Sequence, residues 1–278
     1  MPRGYTHAKR ASPPGIRTMV MRAEYPMEGA LLGLFMVVAC GMATLLEHPA
    51  SPAHKALADG TLRRALMGLA MGTTAVALIR SPWGRQSGAH MNPALTLAYL
   101  RLGKIAPRDA AGYVTGQLLG GAAGVLAVAA ILGASLAHPR VHFVTTAPGP
   151  AGAAVAFVAE AAISFVLMSV VLITSNSPRL ARWTPFCAGA LVATWITVEA
   201  PLSGMSMNPA RSFASALGAW DWRWLWVYWT APPLGMLAAA ETYTRLRGTV
   251  YCAKLDHETS RRCLFRCRWP ELQARRVV

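Results

Sequence analysis

Charged residues are scarce in this sequence of 278 residues. Only 14% are Asp, Glu, Lys or Arg, whereas 54% are hydrophobic. A typical soluble domain has about 25% charged residues, so this composition excludes an ordinary soluble protein and predicts an integral membrane protein. The shortage is greatest for acidic residues, with 12 Asp and Glu against 27 Lys and Arg, which leaves a net charge of +15.

A basic excess of this size would suggest nucleic-acid binding in a soluble protein, but the sequence has no motif of that kind. The basic residues lie mainly in the two ends of the chain and in alternate loops, a distribution that the positive-inside rule explains. We therefore expect a lipid bilayer as partner and no nucleic acid. Residues 1–26 have no apolar run after their charges, which excludes a cleaved signal peptide and predicts a disordered cytoplasmic tail.

Cysteine is also scarce, and the five cysteines show no obvious pairing. Three of them lie in the basic segment 244–278, which we expect to be a C-terminal tail in the reducing cytoplasm. With one histidine they form the pattern Cys252-x4-His257-x5-Cys263-x3-Cys267, which has enough ligands for Zn²⁺. The spacing matches no common zinc motif, and nearby arginines disfavour a cation. Reduced or lipidated thiols are therefore favoured, and no metal or other cofactor is expected.

One pattern occurs twice. Residues 87–98 (SGAHMNPALTLA) return as residues 203–214 (SGMSMNPARSFA), an offset of 116, with seven of the twelve positions identical. In each copy Asn is suited to cap a helix and Pro to its first turn. The ten residues 93–102 would span roughly 15 Å, which is about half of a hydrocarbon core of ~30 Å. Two such short helices, each preceded by a loop, predict broken helices that meet near the middle of the bilayer.

Six apolar segments accompany the two short helices, and we interpret each as a membrane-spanning helix, because a helix satisfies its own backbone in lipid. Six spans place both ends of the chain on one side. That side then holds 21 of the 27 Lys and Arg residues, so we expect a multi-pass protein of the cell membrane with both termini in the cytoplasm. The predicted spans cover residues 27–46, 62–79, 109–136, 152–174, 185–200 and 222–243.

The two halves of the chain correspond beyond these motifs. Glu28 and Glu160 each lie near the start of an apolar run, and Tyr113 and Tyr228 recur at an offset of 115. Because each half has three spans, an odd number, the second half is inverted in the membrane relative to the first. The predicted fold is an all-α membrane protein with six transmembrane helices and two re-entrant half-helices. It occupies residues 27–243, with repeats over about 27–136 and 152–243.

With two Asn-Pro-Ala loops between long apolar segments, the sequence resembles the aquaporin, or major intrinsic protein, family, and in particular its bacterial members. The resemblance covers most of the chain and implies a homotetramer with one pore in each subunit, without cofactor or energy coupling. It implies that the two motifs and the residues before them form the pore. These residues are Asn92, Pro93, Ala94, Asn208, Pro209 and Ala210, with Ala89, His90, Met91, Ser206 and Met207 in the loops.

The resemblance also implies a narrow filter in which Arg211 donates to the permeant and repels cations. Counting from the motifs gives Met71, Ile196 and Met205 as the other filter positions. Familiar water channels have an aromatic residue and a His there, and this chain has neither. Water is nevertheless the predicted permeant, because four other positions resemble the water-channel subgroup: Ser212, Ala216, Tyr228 and Trp229. A glycerol-type facilitator is the alternative, and a structural or adhesion member with little conduction is a second one.

Among the acidic residues of the apolar segments, two occupy corresponding places in the two halves, and an ionisable residue inside such a segment points to a function by default. A catalytic pair or a proton relay is one interpretation of Glu28 and Glu160. The other is a structural brace, because irregular backbone inside a bilayer needs hydrogen-bond partners. We predict the brace, with each carboxylate accepting backbone N–H bonds from the loop of its own half. No nucleophile and base occur together, so the protein is not expected to be an enzyme.

Overall fold

The computed structural model describes residues 14–257, 263 and 265–274, with side chains described from Ala23 onward. This part of the chain consists of helices and turns, without a β-strand. The longer helices are α1 (Pro14–Glu47), α2 (Gly60–Arg80), α3 (Pro93–Arg101), α4 (Pro107–Leu132), α5 (Ala153–Ser175), α6 (Thr184–Val198), α7 (Pro209–Ala219) and α8 (Leu225–Arg247). A short α9 (Trp269–Ala274) follows, and the connections contain the helical turns Pro52–Ala56, Pro82–Ser87, Ala134–Ala137, His142–Val144, Ala181–Trp183 and Ala200–Ser203.

Six of these helices are the transmembrane helices of the fold, and α3 and α7 are its half-helices. Four have both the length and the apolar composition to cross a membrane: Ala23–Glu47 within α1, and the whole of α2, α4 and α5. The helix α6 has 15 residues, about 22 Å, and the helical turn Ala200–Ser203 prolongs it. The helix α8 is long enough, with 23 residues, but it contains two prolines and ends in basic residues, which lower its hydropathy.

The helix boundaries differ most from the predicted spans in three places. The helix α1 begins at Pro14 and therefore covers the second half of the stretch that the sequence predicts to be disordered, because Pro26 inside it does not end the helix. Residues 1–13 lie outside the described part of the chain. The helix α4 ends at Leu132, four residues early, because Gly133 has a φ of +47°. The helix α8 extends to Arg247, past the predicted end at residue 243.

The packing of the helices follows the repeat. The first and third spans of each half pack together, as α1 on α4 and α5 on α8, and the second spans α2 and α6 join the halves. Each half-helix also packs against the third span of the opposite half, with α3 on α8 and α7 on α4. This exchange places the amino ends of both half-helices on one central axis.

Close helix contacts hold this arrangement together. A Cβ atom added at Gly120 of α4 would collide with the carbonyl group of Gly29 in α1, and one added at Gly235 of α8 would collide with the carbonyl group of Ala161 in α5. Since lipid provides no hydrophobic force between helices, such small-residue contacts supply much of the packing energy in a membrane.

The substitution Gly120→Ala is expected to destabilise the protein by about 1–3 kcal/mol, because the added methyl group forces α1 and α4 apart. A matched control is Gly41→Ala in α1, where an added Cβ meets no atom of the described chain within 4 Å. Thermal unfolding in detergent, followed by size-exclusion chromatography, measures the difference. An equal midpoint for the two variants would contradict the close-contact interpretation.

Candidate pore and filter

A cavity of about 480 Å³ lies between the two halves. Both Asn-Pro-Ala loops contribute to its wall, together with side chains of α1, α2, α5 and α6. At the end of the bundle that holds residues 81–91, which we call the first-loop pole, the wall includes Ile79 and Leu255. At the opposite end, the second-loop pole, it includes Arg63 and Arg140.

The two asparagines of the repeated motif meet in the middle of this cavity. The Asn92 side chain donates from Nδ2 to the carbonyl oxygen of Met207 at 2.7 Å, and Asn208 donates from Nδ2 to the carbonyl oxygen of Met91, also at 2.7 Å. Each amide thus has one N–H bonded to the opposite loop, and its second N–H is left for a molecule in the cavity. Both side chains belong to the cavity wall.

The same asparagines cap the half-helices. Asn92 Oδ1 accepts from the backbone N–H of Ala94 at 2.9 Å, and Asn208 Oδ1 accepts from the N–H groups of Ala210 at 3.0 Å and Arg211 at 3.3 Å. Pro93 and Pro209 occupy the first helical position of α3 and α7 and are buried. The motif therefore fixes each asparagine at a helix amino end, where the backbone carries partial positive charge.

Both loops have an unusual backbone. Four non-glycine residues have positive φ angles, and they occupy equivalent positions: Ala89 (55°) and Met91 (48°) in the first loop, Met205 (51°) and Met207 (54°) in the second. Such conformations cost on the order of 1–3 kcal/mol each and persist only where the surroundings enforce them.

Glu28 and Glu160 supply that enforcement. Glu28 accepts hydrogen bonds from the backbone N–H groups of His90 at 3.0 Å and Met91 at 2.5 Å. Glu160 accepts from the corresponding N–H groups of Ser206 at 2.6 Å and Met207 at 2.7 Å. Each carboxylate is fully buried and also accepts from the serine that precedes its loop, Ser87 or Ser203. All four carboxylate oxygens accept hydrogen bonds, and neither glutamate is among the residues that line the cavity.

His90 and Ser206 occupy equivalent loop positions, and both use their polar atoms within the protein. The His90 ring lies between Thr96 Oγ1 at 3.1 Å and the carbonyl oxygen of Ala253 at 2.9 Å, and 3% of the residue is exposed. The Ser206 hydroxyl bonds to the carbonyl oxygen of Asn208 at 3.0 Å and to Ser212 Oγ at 2.6 Å. Both residues border the cavity as loop anchors.

The four residues placed at the filter by counting all border the cavity: Met71, Ile196, Met205 and Arg211. Three are apolar, and Arg211 is the only charged one among them. The Arg211 Nη1 atom is buried and has no hydrogen-bond partner among the described residues. An unpartnered guanidinium nitrogen in a cavity wall is a donor available to a molecule inside. The corresponding residue of the first half is Leu95, so only one end of the cavity has this donor.

The C-terminal segment is placed differently from the free tail that the sequence suggests. Residues 250–257, 263 and 265–274, which we call the C-terminal cap, pack on the first-loop pole. The Leu255 N–H donates to the Gly88 carbonyl oxygen at 3.2 Å, and Lys254 Nζ donates to the Arg85 carbonyl oxygen at 2.7 Å. Lys254 is 2% exposed, and Leu255 contributes to the cavity wall.

The cap also contacts the first loop directly. The Phe265 ring stacks on the His90 ring, with centroids 5.4 Å apart, and the Ala253 carbonyl oxygen accepts from that histidine. Tyr251 N–H donates to Asn176 Oδ1 at 2.6 Å, which joins the cap to the end of α5. Sequence reasoning missed this contact because it depends on tertiary packing. The apolar residues Val250, Leu255 and Phe265 within a basic stretch were the available signal.

The three cysteines of the cap lie together with His257. The pKa of the Cys267 thiol lies well below its ordinary value, because the thiols of Cys252 and Cys263 form hydrogen bonds with it. The cluster therefore favours a thiolate at Cys267.

Two loops that enter a helical bundle from opposite poles and cap half-helices at the centre of one cavity define an α-helical membrane channel. The chain belongs to the major intrinsic protein family, because the sequence model of that family matches residues 27–243. The predicted family and fold class are thereby confirmed.

Relatives in this family carry different names. The chain is 34% identical to probable aquaporin NIP7-1 of Arabidopsis thaliana over 161 residues, covering 58% of this chain and 57% of the relative. It is 34% identical to aquaporin NIP3-1 of Oryza sativa subsp. japonica over 175 residues, or 62% and 55% of the two chains. The chain thus spans somewhat more than half the length of these plant relatives.

A bacterial relative and a solved structure match a larger share of both chains. The glycerol uptake facilitator protein-like 6 of Lactiplantibacillus plantarum is 34% identical over 212 residues, which are 75% of this chain and 92% of that protein. The X-ray structure of the aquaglyceroporin from Plasmodium falciparum superimposes with a TM-score of 0.65 at 19% identity, covering 82% and 96% of the two chains. At this identity the likeness establishes the fold alone.

Proposed function

We propose that this channel conducts water passively and excludes protons and ions. The observation that carries the proposal is the pair of crossed bonds from Asn92 and Asn208 to the opposite loop. One N–H of each amide is left at the midplane, next to two helix amino ends. A water molecule that accepts both bonds through its oxygen is turned so that its own hydrogens point outward, which interrupts a chain of proton transfer. The two positive helix ends repel cations at the same point.

Arg211 is the proposed filter residue. Its free Nη1 donor can hold a passing oxygen, and its charge adds a second barrier to cations. Met71, Ile196 and Met205 offer only apolar side chains there. A permeant in this filter keeps the bonds to Arg211 and to the loop carbonyl groups and gains none from the three apolar walls.

A small neutral solute such as glycerol is the second candidate permeant. The apolar filter favours it, because flexible methionine side chains adapt to a carbon skeleton. The name of the bacterial relative, a glycerol uptake facilitator protein-like protein, supports the same candidate. Water remains the first candidate because it is the smallest permeant and loses the fewest hydrogen bonds in single file; each lost bond costs about 1–3 kcal/mol.

Stopped-flow light scattering on proteoliposomes tests both candidates. Water flow is measured by shrinkage in an impermeant osmolyte, and glycerol flow by swelling after shrinkage in glycerol. We expect fast water flow and slower glycerol flow, each well above that of empty liposomes. Flow equal to that of empty liposomes for both permeants would favour the structural or adhesion role.

The substitution Ile196→His is expected to lower glycerol flow relative to water flow, because it adds a polar group and narrows an apolar wall. The change in the ratio should be about tenfold if the filter loses roughly 1.4 kcal/mol for glycerol alone. A matched control is Val198→His in the same helix, where the side chain is largely exposed on the outside of the bundle. An unchanged ratio in Ile196→His would remove Ile196 from the filter.

We further propose that the first-loop pole is cytoplasmic and that the protein is a homotetramer in the cell membrane. The C-terminal cap lies at that pole, and so does the start of α1, where Glu24 accepts a bond from Gln86 at 2.6 Å. Both ends of the described chain therefore share one side, and the distribution of basic residues favours the cytoplasm for that side.

A further inference from the structure

The four potential metal ligands in the C-terminal cap converge on one point. The sulfur atoms of Cys252, Cys263 and Cys267 and a ring nitrogen of His257 all lie within 4.8 Å of one another. Cys252 Sγ and Cys263 Sγ are 3.4 Å apart, and His257 Nε2 lies 3.2 Å from Cys267 Sγ. Tetrahedral Zn²⁺ with bonds of ~2.3 Å to sulfur holds its sulfur ligands about 3.8 Å apart. The Cys252–Cys263 separation is 0.4 Å shorter than that value and no pair of ligand atoms is more than 4.8 Å apart, so an ion fits with small movements.

The surroundings of the cluster resemble a second coordination shell. The backbone N–H of Trp269 points at Cys267 Sγ at 3.4 Å, and the Trp269 ring stacks on the His257 ring with centroids 4.5 Å apart and an interplanar angle of 6°. Such contacts fix the orientation of ligands in metal sites. A disulfide between Cys252 and Cys263 would use two of the four groups and would leave the convergence of His257 and Cys267 unexplained.

The charge around the cluster also suits a metal–thiolate centre. Two neighbouring arginines are engaged by carboxylates, Arg85 by Asp256 at 2.9 Å and Arg268 by Glu271. Three thiolates around one Zn²⁺ leave one net negative charge, which a basic environment stabilises. Because the occupied site would be anionic, nearby arginines do not disfavour it.

A cross-link of this kind would stabilise the cap. The cap spans residues 250–274, and a segment shorter than about 40 residues rarely folds through its own apolar core alone. Its ligands lie on both sides of the residues that touch the first loop, since Cys252 precedes Ala253 and Leu255, and Cys263 and Cys267 flank Phe265. An ion at the cluster would thus clamp the residues that pack on the first-loop pole.

We propose that Cys252, His257, Cys263 and Cys267 bind one Zn²⁺ and that the ion holds the C-terminal cap over the first-loop pole, so that loss of zinc opens the channel. The binding site stands by itself, whereas the effect on flow rests on the proposed conduction. Zinc is the ion that three thiolates and one imidazole select in tetrahedral geometry.

Metal content tests the site independently of transport. The purified full-length chain is saturated with Zn²⁺, freed of excess ion and analysed by mass spectrometry for zinc. We expect about one zinc ion per chain, and binding weakened by about tenfold or more in Cys263→Ser and Cys267→Ser. Cys187→Ser in α6 removes a cysteine that is not one of the four converging groups, and this variant should retain the ion. Titration with Co²⁺ should give a thiolate-to-metal charge-transfer band in the wild type that Cys263→Ser lacks.

Absence of bound metal, equal binding in all variants, or a Cys252–Cys263 disulfide in the isolated protein would overturn the site.

Water flow tests the cap. Proteoliposomes of the zinc-loaded chain are compared with the same vesicles after a membrane-permeable chelator. We expect chelation to raise water flow severalfold in the wild type and in Cys187→Ser, while Cys263→Ser is already fast and does not respond. If the protein binds zinc but its water flow does not respond to the chelator, the proposed control of flow by the cap is wrong. Background flow in every preparation would overturn both conduction and its control by the cap, whereas the zinc content would still decide the site.

Discussion

The substitution Glu160→Leu is expected to leave no stable conducting protein. The carboxylate accepts bonds from Ser206 N–H, Met207 N–H and Ser203 Oγ at 2.6–2.8 Å. Bonds to a charged group contribute about 1.5–3 kcal/mol each, so their loss amounts to on the order of 5 kcal/mol, comparable with the whole stability of many domains. The positive φ angles of the loop then lose the partner that enforces them. The yield of monodisperse protein and its unfolding midpoint measure the effect.

Two further variants make this prediction specific. Glu160→Gln keeps the shape and one acceptor oxygen, so it should be damaged less than Glu160→Leu. Glu241→Gln removes a partly exposed carboxylate that pairs with Arg101 at 2.7 Å, and such surface pairs contribute about 0–1 kcal/mol. If Glu160→Leu and Glu241→Gln unfolded at the same temperature, the bracing role of Glu160 would be refuted.

The substitution Arg211→Val is expected to leave water flow nearly intact and to raise the leak of cations and larger solutes. Water depends little on one donor, because it keeps contact with neighbouring waters. A cation at the filter no longer meets the charge of Arg211, and a barrier lowered by roughly 1.4 kcal/mol or more raises its flow about tenfold or more. The variant also removes a side chain that occupies the cavity wall. Flux assays with a cation-sensitive dye and with urea, next to stopped-flow water measurements, separate these effects.

The control for this variant is Arg223→Val. Arg223 pairs with Asp221 at 3.0 Å and its side chain is 76% exposed, outside the cavity. It removes the same charge from the protein without touching the filter. If the cation flux of Arg211→Val equalled that of the wild type, or if the flux rose equally in both variants, Arg211 would not be the filter residue.

Much of the architecture could be predicted because two short motifs carry it. Asn92 and Asn208 lie in matching twelve-residue segments. Because each half has three spans, the second half must be inverted in the membrane relative to the first. The paired glutamates were found for the same reason, since each occupies the equivalent place in its half. Helix ends were less predictable. The end of α4 depends on the positive φ of Gly133, which composition does not reveal.

The position of the C-terminal cap could not be predicted because its contacts with the bundle are tertiary. Phe265 and Ala253 meet His90, more than 160 residues earlier in the chain, and no period or motif in the sequence encodes that meeting. The three cysteines and His257 are close in sequence, within residues 252–267, but their spacing matches none of the common zinc motifs and therefore did not indicate a site.

The reciprocal asparagine bonds have a consequence for ancestry. Asn92 to Met207 and Asn208 to Met91 are one interaction made in two directions. A chain half as long, inserted in both orientations, would form the same centre as an antiparallel dimer. In a single chain, dual insertion is not needed and equivalent positions of the two halves can differ. Leu95 and Arg211 are such a pair, whereas a dimer of identical halves would carry two filter arginines or none.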